Sequence, residues 1–208
     1  MMTTPDTSDL AATISANLAD FPRRAAADPR RRAAVVVCVL TGTPGRTEPK
    51  FLVIKRVPKG LNAGQWALPG GKVDADETDV QAALRELHEE VGLAVDETSV
   101  AGLLDDFVTD SGFVITPVVV VVDGAPKLRR DPTEVHSIHP IPVRRLLADG
   151  VPRWTRGEGS GPLLQMPLRH DMVIHAPTGA ILLQFREAAL LGRHTRVHDL
   201  LQPEFTRV

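Results

Sequence analysis

The chain is 208 residues long, with 43% apolar and 24% charged residues, the balance of an ordinary globular protein with room for one sizeable core. Its formal net charge of −2 gives no global pull toward nucleic acid or an anionic membrane, so an anionic ligand has to be attracted locally. A single cysteine, Cys38, excludes an internal disulfide framework and a multi-cysteine zinc site.

Residues 1–10 are polar, with no apolar stretch after a basic start, and no run approaches the roughly 18 to 20 apolar residues of a membrane span. A cytoplasmic chain is expected, with neither nucleic acid nor membrane as a partner. The first predicted helix covers residues 6–20, with Ser8 as N-cap and Leu10, Ile14 and Leu18 at helical spacing; Pro22 stops it. An arginine-rich connector follows, with Arg23, Arg24, Arg30, Arg31 and Arg32. It reads as a solvated linker, the alternative being contact with a substrate phosphate, whose geometry arginine matches.

Strands are predicted over residues 33–40 and 51–57, joined by a hairpin loop rich in Gly, Pro and Thr. Cys38 lies in the first of these runs and reads as a small buried hydrophobe. A short strand over residues 66–68 precedes Pro69. A helix is expected over residues 78–91, where Val80, Ala83, Leu84, Leu87 and Val91 form one stripe and Gly92 closes the end. Further strands are expected over residues 100–108, 114–122, 138–141 and 172–174. Short and long helices are expected over residues 143–147 and 178–191. Strands and helices mix without regular alternation, which indicates an α+β fold with helices against a mixed sheet.

The chemistry is concentrated in G-K-V-D-A-D-E-T-D-V-Q-A-A-L-R-E-L-H-E-E-V-G-L, residues 71–93. Glu86, Glu89 and Glu90 are helical neighbours at spacings of three and four, an acidic cluster expected to point away from the apolar stripe toward solvent. Their mutual repulsion needs an offset. A hard divalent cation supplies one, because carboxylate oxygens are the ligands that Mg²⁺ and Mn²⁺ prefer. The bare backbone at Gly70 and Gly71 comes close to the same place, where a carbonyl of Gly70 could complete the coordination. Arg85 is expected to pair with Glu77 and pin the loop to the helix, and His88 is expected at the surface.

These residues match the Nudix box, G-x5-E-x7-R-E-[apolar]-x-E-E-x-G-[apolar], at every defined position: Gly71, Glu77, Arg85, Glu86, Leu87, Glu89, Glu90, Gly92 and Leu93. The chain therefore resembles the Nudix hydrolases. The resemblance implies an α/β/α sandwich over about residues 32–150, flanked by an N-terminal helix and connector (1–31) and a C-terminal extension (151–208). It also implies metal-dependent hydrolysis of a nucleoside diphosphate linked to another moiety, a small-molecule substrate, with Mg²⁺ as cofactor and Mn²⁺ as a substitute. Glu86, Glu89 and Glu90 would be metal ligands or supply the base, and Glu77, Arg85 and Gly71 would support them.

The substrate depends on the surrounding loops. Residues 109–119, the run D-P-T-E-V at 131–135, and Pro140, Ile141 and Pro142 resemble coenzyme A diphosphatases of this superfamily. Upstream the chain keeps Arg56 but has Gly60 and Leu68 where those enzymes carry Arg and Phe, and residues 64–71 look more like MutT-type nucleotide hydrolases or ADP-ribose diphosphatases. Glu134 is a candidate extra ligand or base, balanced against a solvated loop acid; Asp110 is a weaker candidate of the same kind. Arg56 and Trp66 are candidate substrate contacts, Trp66 by stacking on a base or, equally, as a residue at the edge of the core. In the extension, Ile181, Leu182, Phe185, Ala188 and Leu191 form a stripe expected to pack on the domain or on a second subunit of a homodimer. The competing class is a nucleotide-sensing Nudix module that does not cut. The complete set of helix glutamates speaks against it.

Overall fold

The computed structural model describes residues 7–27, 31–43, 45, 47–60, 62–156, 162–200 and 202–203. Helix α1 (Thr7–Asp20) buries Leu10, Ile14 and Leu18 on one side. It starts one residue before Ser8, the expected N-cap.

Strand β1 (Arg32–Leu40) is central. It pairs antiparallel with β2 (Lys50–Arg56) and β4 (Gly70–Lys72), and parallel with β7 (Val114–Val122). Strands β1 and β7 are buried on both faces, which is why both read as nearly unbroken valine runs. Around them stand β3 (Trp66–Ala67), β5 (Val100–Leu103), β6 (Phe107–Val108) and β8 (Val135–Pro142), which complete an eight-stranded mixed sheet.

The alternation of side chains along β1 sends Ala34, Val36, Cys38 and Leu40 to one face and Val37 and Val39 to the other. Helix α2 (Asp79–Val91) covers the first face with Ala82, Ala83, Leu87 and Val91. The second face is covered by α1, by α3 (Thr178–Gln184), and by the inner side of a second sheet of β9 (Arg153–Arg156), β10 (Pro162–Arg169) and β11 (Met172–Ile174). The result is an α/β/α sandwich in which both terminal segments share one core with the central sheet. Among the described residues no helix is long and apolar enough to cross a membrane.

Several elements depart from expectation. The strand expected over residues 100–108 breaks into β5 and β6 because Leu104 turns into the core while Asp105 and Asp106 become a polar hub. Asp105 accepts from Arg196 Nη1 (2.8 Å to each oxygen), Gln184 Nε2 (2.8 Å) and Arg24 N (2.7 Å). Asp106 accepts from Arg23 Nη2, Ala26 N and Thr116 Oγ1. The connector is thus no free linker. Arg23 grips the hub, Arg32 binds Asp79 at 2.6 Å, and Arg31 lies over the Phe113 ring; Arg30 falls outside the described residues. Strand β8 is longer than expected. The helix expected over residues 143–147 is one 3₁₀ turn (Val143–Arg145), and the last helix changes at Phe185 to a π-helical stretch (Phe185–Leu190). Strands β4, β9 and β10 were not expected. The stripe from Ile181 through Ala188 is buried in the shared core.

Candidate active site

Helix α2 is started by a capping box: Thr78 Oγ1 accepts from Gln81 N (3.1 Å), and the Gln81 side chain accepts from Thr78 N (3.0 Å). It is stopped at Gly92, whose positive φ of 71° suits glycine and lets its N–H donate to His88 O. The three glutamates sit in three different environments. Glu89 is open to solvent, with 55% of its side chain exposed; Glu86 is largely covered; Glu90 is buried, with 2% exposed. The expectation that the cluster points away from the apolar stripe fails for Glu90. It follows Ala83 by seven residues, about 20° short of two full turns, and so lies beside the stripe.

Arg85 holds this end of the box together. Its Nε and Nη2 donate to the two oxygens of Glu77 (2.7 and 3.0 Å), its Nη1 to Glu86 Oε1 (2.8 Å) and Glu89 Oε2 (3.0 Å), and its Nη2 to Lys72 O (3.1 Å). The pairing with Glu77 is the one expected from the sequence. This planar fork pulls the Glu77 carboxyl below the usual range, and the carboxylates around Arg85 raise its own already high pKa. His88 is exposed.

Glu86 and Glu90 meet the backbone of β4. A methyl group on Gly71 would stand 2.2 Å from Glu86 Oε1, so only glycine leaves room for that carboxylate. Gly70 N donates to Glu90 Oε2 at 2.9 Å. Glu90 Oε1 has no hydrogen-bond partner; Arg56 Nη1 stands 3.7 Å from it. Burial is the main reason that the Glu90 carboxyl is pushed up to about 8; the Gly70 amide and Arg56 oppose the shift, and the charges of Glu86 and Glu134 add to it. Burial likewise raises Glu86, against the pull of Arg85 and with the push of Glu89 and Glu134. Glu134 is exposed on the turn before β8, yet its charge is felt at both glutamates.

Among the described residues no three Asp, Glu, His or Cys side chains are gathered around one point in the way that holds a metal. The reason is visible in the pairing: Arg85 Nη1 stands between Glu86 and Glu89, while Glu90 is turned to the Gly70 amide.

The remaining candidates are placed elsewhere. Arg56 lies on the α2 side of β2, against Glu90. Trp66 lies on the opposite side of the sheet, at the edge of the core. Lys55 Nζ is 5.0 Å from its ring centre, and the His139 ring meets it edge-on at 4.9 Å. His139 bonds Ser137 Oγ at 2.7 Å. Lys55, Ser137 and His139 stand in no motif, although alternate positions on adjacent strands group them with Trp66. Asp110 accepts from Gln202 Nε2 at 3.2 Å, near the far end of the chain. Cys38 is fully buried, which pushes its thiol up to about 12 and leaves it inert.

Comparison with known proteins agrees with this arrangement. The chain is 35% identical over 123 residues to the uncharacterized Nudix hydrolase NudL of Klebsiella pneumoniae subsp. pneumoniae, covering 58% of this chain and 62% of that protein. The NudL protein of Yersinia pestis is 34% identical over 120 residues, covering 57% and 58%. The match spans less than two thirds of the length of these relatives. Among solved structures, a MutT/nudix family protein from Enterococcus faecalis superposes with a TM-score of 0.55 at 17% identity, over 77% of this chain and 62% of that one, a likeness of fold. The family model described as the NUDIX domain matches residues 30–157, more than half of the chain, and this protein belongs to the Nudix family.

Proposed function

We propose that the chain hydrolyses a diphosphate bond in a nucleoside diphosphate linked to another moiety, with a divalent cation, Mg²⁺ or in its place Mn²⁺. The observation that carries this reading is Glu90: a buried carboxylate with one bare oxygen, beside Glu86 and within the field of Glu134. A carboxylate buried without enough donors is costly unless something charged completes it. The donor set is oxygen only, which suits a hard cation. Glu86, Glu89 and Glu90 would hold it once Arg85 Nη1 gives way between Glu86 and Glu89, with the Gly70 carbonyl and Glu134 as further oxygens. When bound, the cation neutralises the diphosphate and makes a water more acidic.

The protein's own residues do the rest. Arg85 keeps Glu77 and the loop of residues 72–77 on the helix, so that Glu86 stays against Gly71. Arg56 places a positive charge next to Glu90, where it can also meet a substrate phosphate. In the reaction, the oxygen of water bonds to one phosphorus, the bond from that phosphorus to the bridging oxygen breaks, and a water proton passes to a carboxylate. Glu86, Glu89, Glu90 and the exposed Glu134 are the candidates for that acceptor.

For the substrate we favour coenzyme A or an acyl-CoA. The D-P-T-E-V run, part of the resemblance to coenzyme A diphosphatases, forms the turn that bears Glu134, whose charge is felt at Glu86 and Glu90. The test is Mg²⁺-dependent hydrolysis of CoA, acetyl-CoA, ADP-ribose, NADH, diadenosine polyphosphates and dNTPs. Selective cleavage of the CoA compounds is expected. A preference for ADP-ribose or a dNTP would make residues 64–71 the better guide. Binding of a nucleotide without cleavage of any would replace the hydrolase with a sensing module.

A further inference from the structure

Glu134 stands on an exposed turn, and an exposed carboxylate on a turn ordinarily wanders. The backbone of this turn is held from both sides. Backbone amides of the preceding segment cap the open end of α2: Arg129 N donates to Val91 O (2.9 Å) and Asp131 N to Glu90 O (3.1 Å). They satisfy carbonyls that a helix end leaves without partners. They also tie the turn to the backbone of Glu90 itself, whose buried Oε1 has no hydrogen-bond partner.

The turn is then closed on itself. Asp131 Oδ1 accepts from Thr133 N and from Thr133 Oγ1, both at 2.7 Å, and Asp131 O accepts from Val135 N at 2.8 Å. Arg130 Nη1 donates to Val135 O at 2.9 Å. On the far side Glu134 O accepts from Val57 N at 3.0 Å, next to the pairing of Val135 with Arg56. Among the described residues, the side chains of Asp131 and Arg130 make no hydrogen bond or ion pair with Glu86 or Glu90. Their bonds end on the residues immediately before and after Glu134.

We infer that Asp131 and Arg130 are positioning residues: they fix the turn so that the Glu134 carboxylate stands at the cation site formed with Glu86 and Glu90. The inference rests on the proposed cation-dependent site and assigns to this turn the delivery of a carboxylate from outside the helix. Side chains that orient a ligand rather than act as one commonly matter about 10- to 100-fold. Asp131 would act only through Glu134, so its loss should cost nothing once Glu134 is gone.

The experiment measures Mn²⁺ binding to the full chain by water-proton relaxation, with the thermal midpoint as a check on folding. Glu134→Gln is expected to weaken Mn²⁺ binding about 10-fold or more. Asp131→Ala and Arg130→Met should approach that loss, Asp131→Asn should restore most of it by keeping an acceptor for Thr133 N, and Asp131→Ala with Glu134→Gln should be no weaker than Glu134→Gln alone. Additive losses in that double variant, or wild-type binding in Asp131→Ala while Glu134→Gln is weakened, would overturn the inference and leave the cation site standing. If Glu134→Gln binds Mn²⁺ normally while Glu86→Gln does not, Glu134 is no part of the site and the inference falls with that assignment. Normal binding in both variants removes the cation site itself.

Discussion

Two groups of acids in this protein are embedded beside arginine, and they end in opposite states. At the hub between β5 and β6, buried Asp105 receives donors on both oxygens, from Arg196, Gln184 and the Arg24 amide. At the box, buried Glu90 has a single donor, the Gly70 amide, and a guanidinium that stops 3.7 Å short. Burial is the same; satisfaction is not. A saturated carboxylate is finished as structure, and here it ties the connector and the tail to the central sheet. A carboxyl group with a bare oxygen and like charges for neighbours gives up its proton reluctantly, and a cation taking the proton's place would complete it.

The largest effect should come from breaking the unsaturated side. Glu90→Gln is expected to lower turnover about 10²- to 10⁴-fold, the range for a group that handles a proton in the reaction. Its effect on stability should run the other way. Glu90 keeps its proton up to about 8 in the folded chain, whereas the unfolded chain loses it in the ordinary carboxylate range. The folded state therefore binds the extra proton between those values, and stability falls as pH rises through that window. The thermal midpoint of the wild type should drop from about pH 5 to about pH 8, and the glutamine variant should show a flatter profile. Mg²⁺ should reverse the drop at the upper end for the wild type, by binding the folded state alone. A variant with wild-type turnover and an unchanged pH profile would put Glu90 on the structural side of the comparison.

Next in size is the opposite break, at the saturated acid. Arg196→Met leaves Asp105 buried with one guanidinium fewer, and removing one partner of a buried pair costs about 3 to 5 kcal/mol. The expected outcome is a large fall in the denaturation midpoint with the rate per folded molecule unchanged. Changing Asp105 to Asn in the same chain should return part of the loss, since the charge left behind is then gone. If Arg196→Met instead lost activity without losing stability, the tail would belong to the site.

How much of this contrast was legible beforehand depends on what each residue needed. The box was readable because its parts are local: an apolar stripe, an i to i+4 cluster and a glycine stop lie within one stretch of chain. The burial of Glu90 is equally local, but it shows in the spacing from Ala83 and not in the spacing from Glu86. Seven residues along a helix return to nearly the same side, and the apolar stripe already contained its neighbour. The hub was unreadable for a different reason. Asp105 and Arg196 are 91 positions apart, and neither stands in a motif. In β10 the alternation of Leu164, Met166 and Leu168 is present, but Pro162 and Pro167 argue against a strand, and the second sheet was missed with it. The break at Phe185, where the helix becomes π-helical, leaves no mark in an apolar stripe that continues across it.

A smaller effect sharpens the comparison at the backbone. Gly71→Ala puts a methyl group 2.2 Å from Glu86 Oε1. The clash falls on the tip of a flexible side chain, so the fold should yield cheaply while the carboxylate is driven from its place. We expect a midpoint within a few degrees of the wild type and a fall in kcat of about 10-fold or more, as for the loss of a group that orients a ligand. A comparable fall in stability with activity retained would mean that Glu86 is packed there for the fold.

The smallest effect concerns the start of the helix. Thr78→Ala removes the hydroxyl that accepts from Gln81 N, and loss of such a cap costs about 1 kcal/mol. Thr78 and Glu90 are more than three turns apart along α2. Glu90 is held at its own end by the Gly70 amide, and the segment after Leu128 closes the helix through Asp131 N and Arg129 N. If those local bonds set the geometry of the site, the variant should melt earlier by a few degrees and cut at the wild-type rate. A loss of turnover beyond the loss of folded protein would mean that the acids depend on the whole helix being seated. The cluster would then share with the hub a reliance on distant contacts, and the contrast between them would narrow to the one bare oxygen of Glu90.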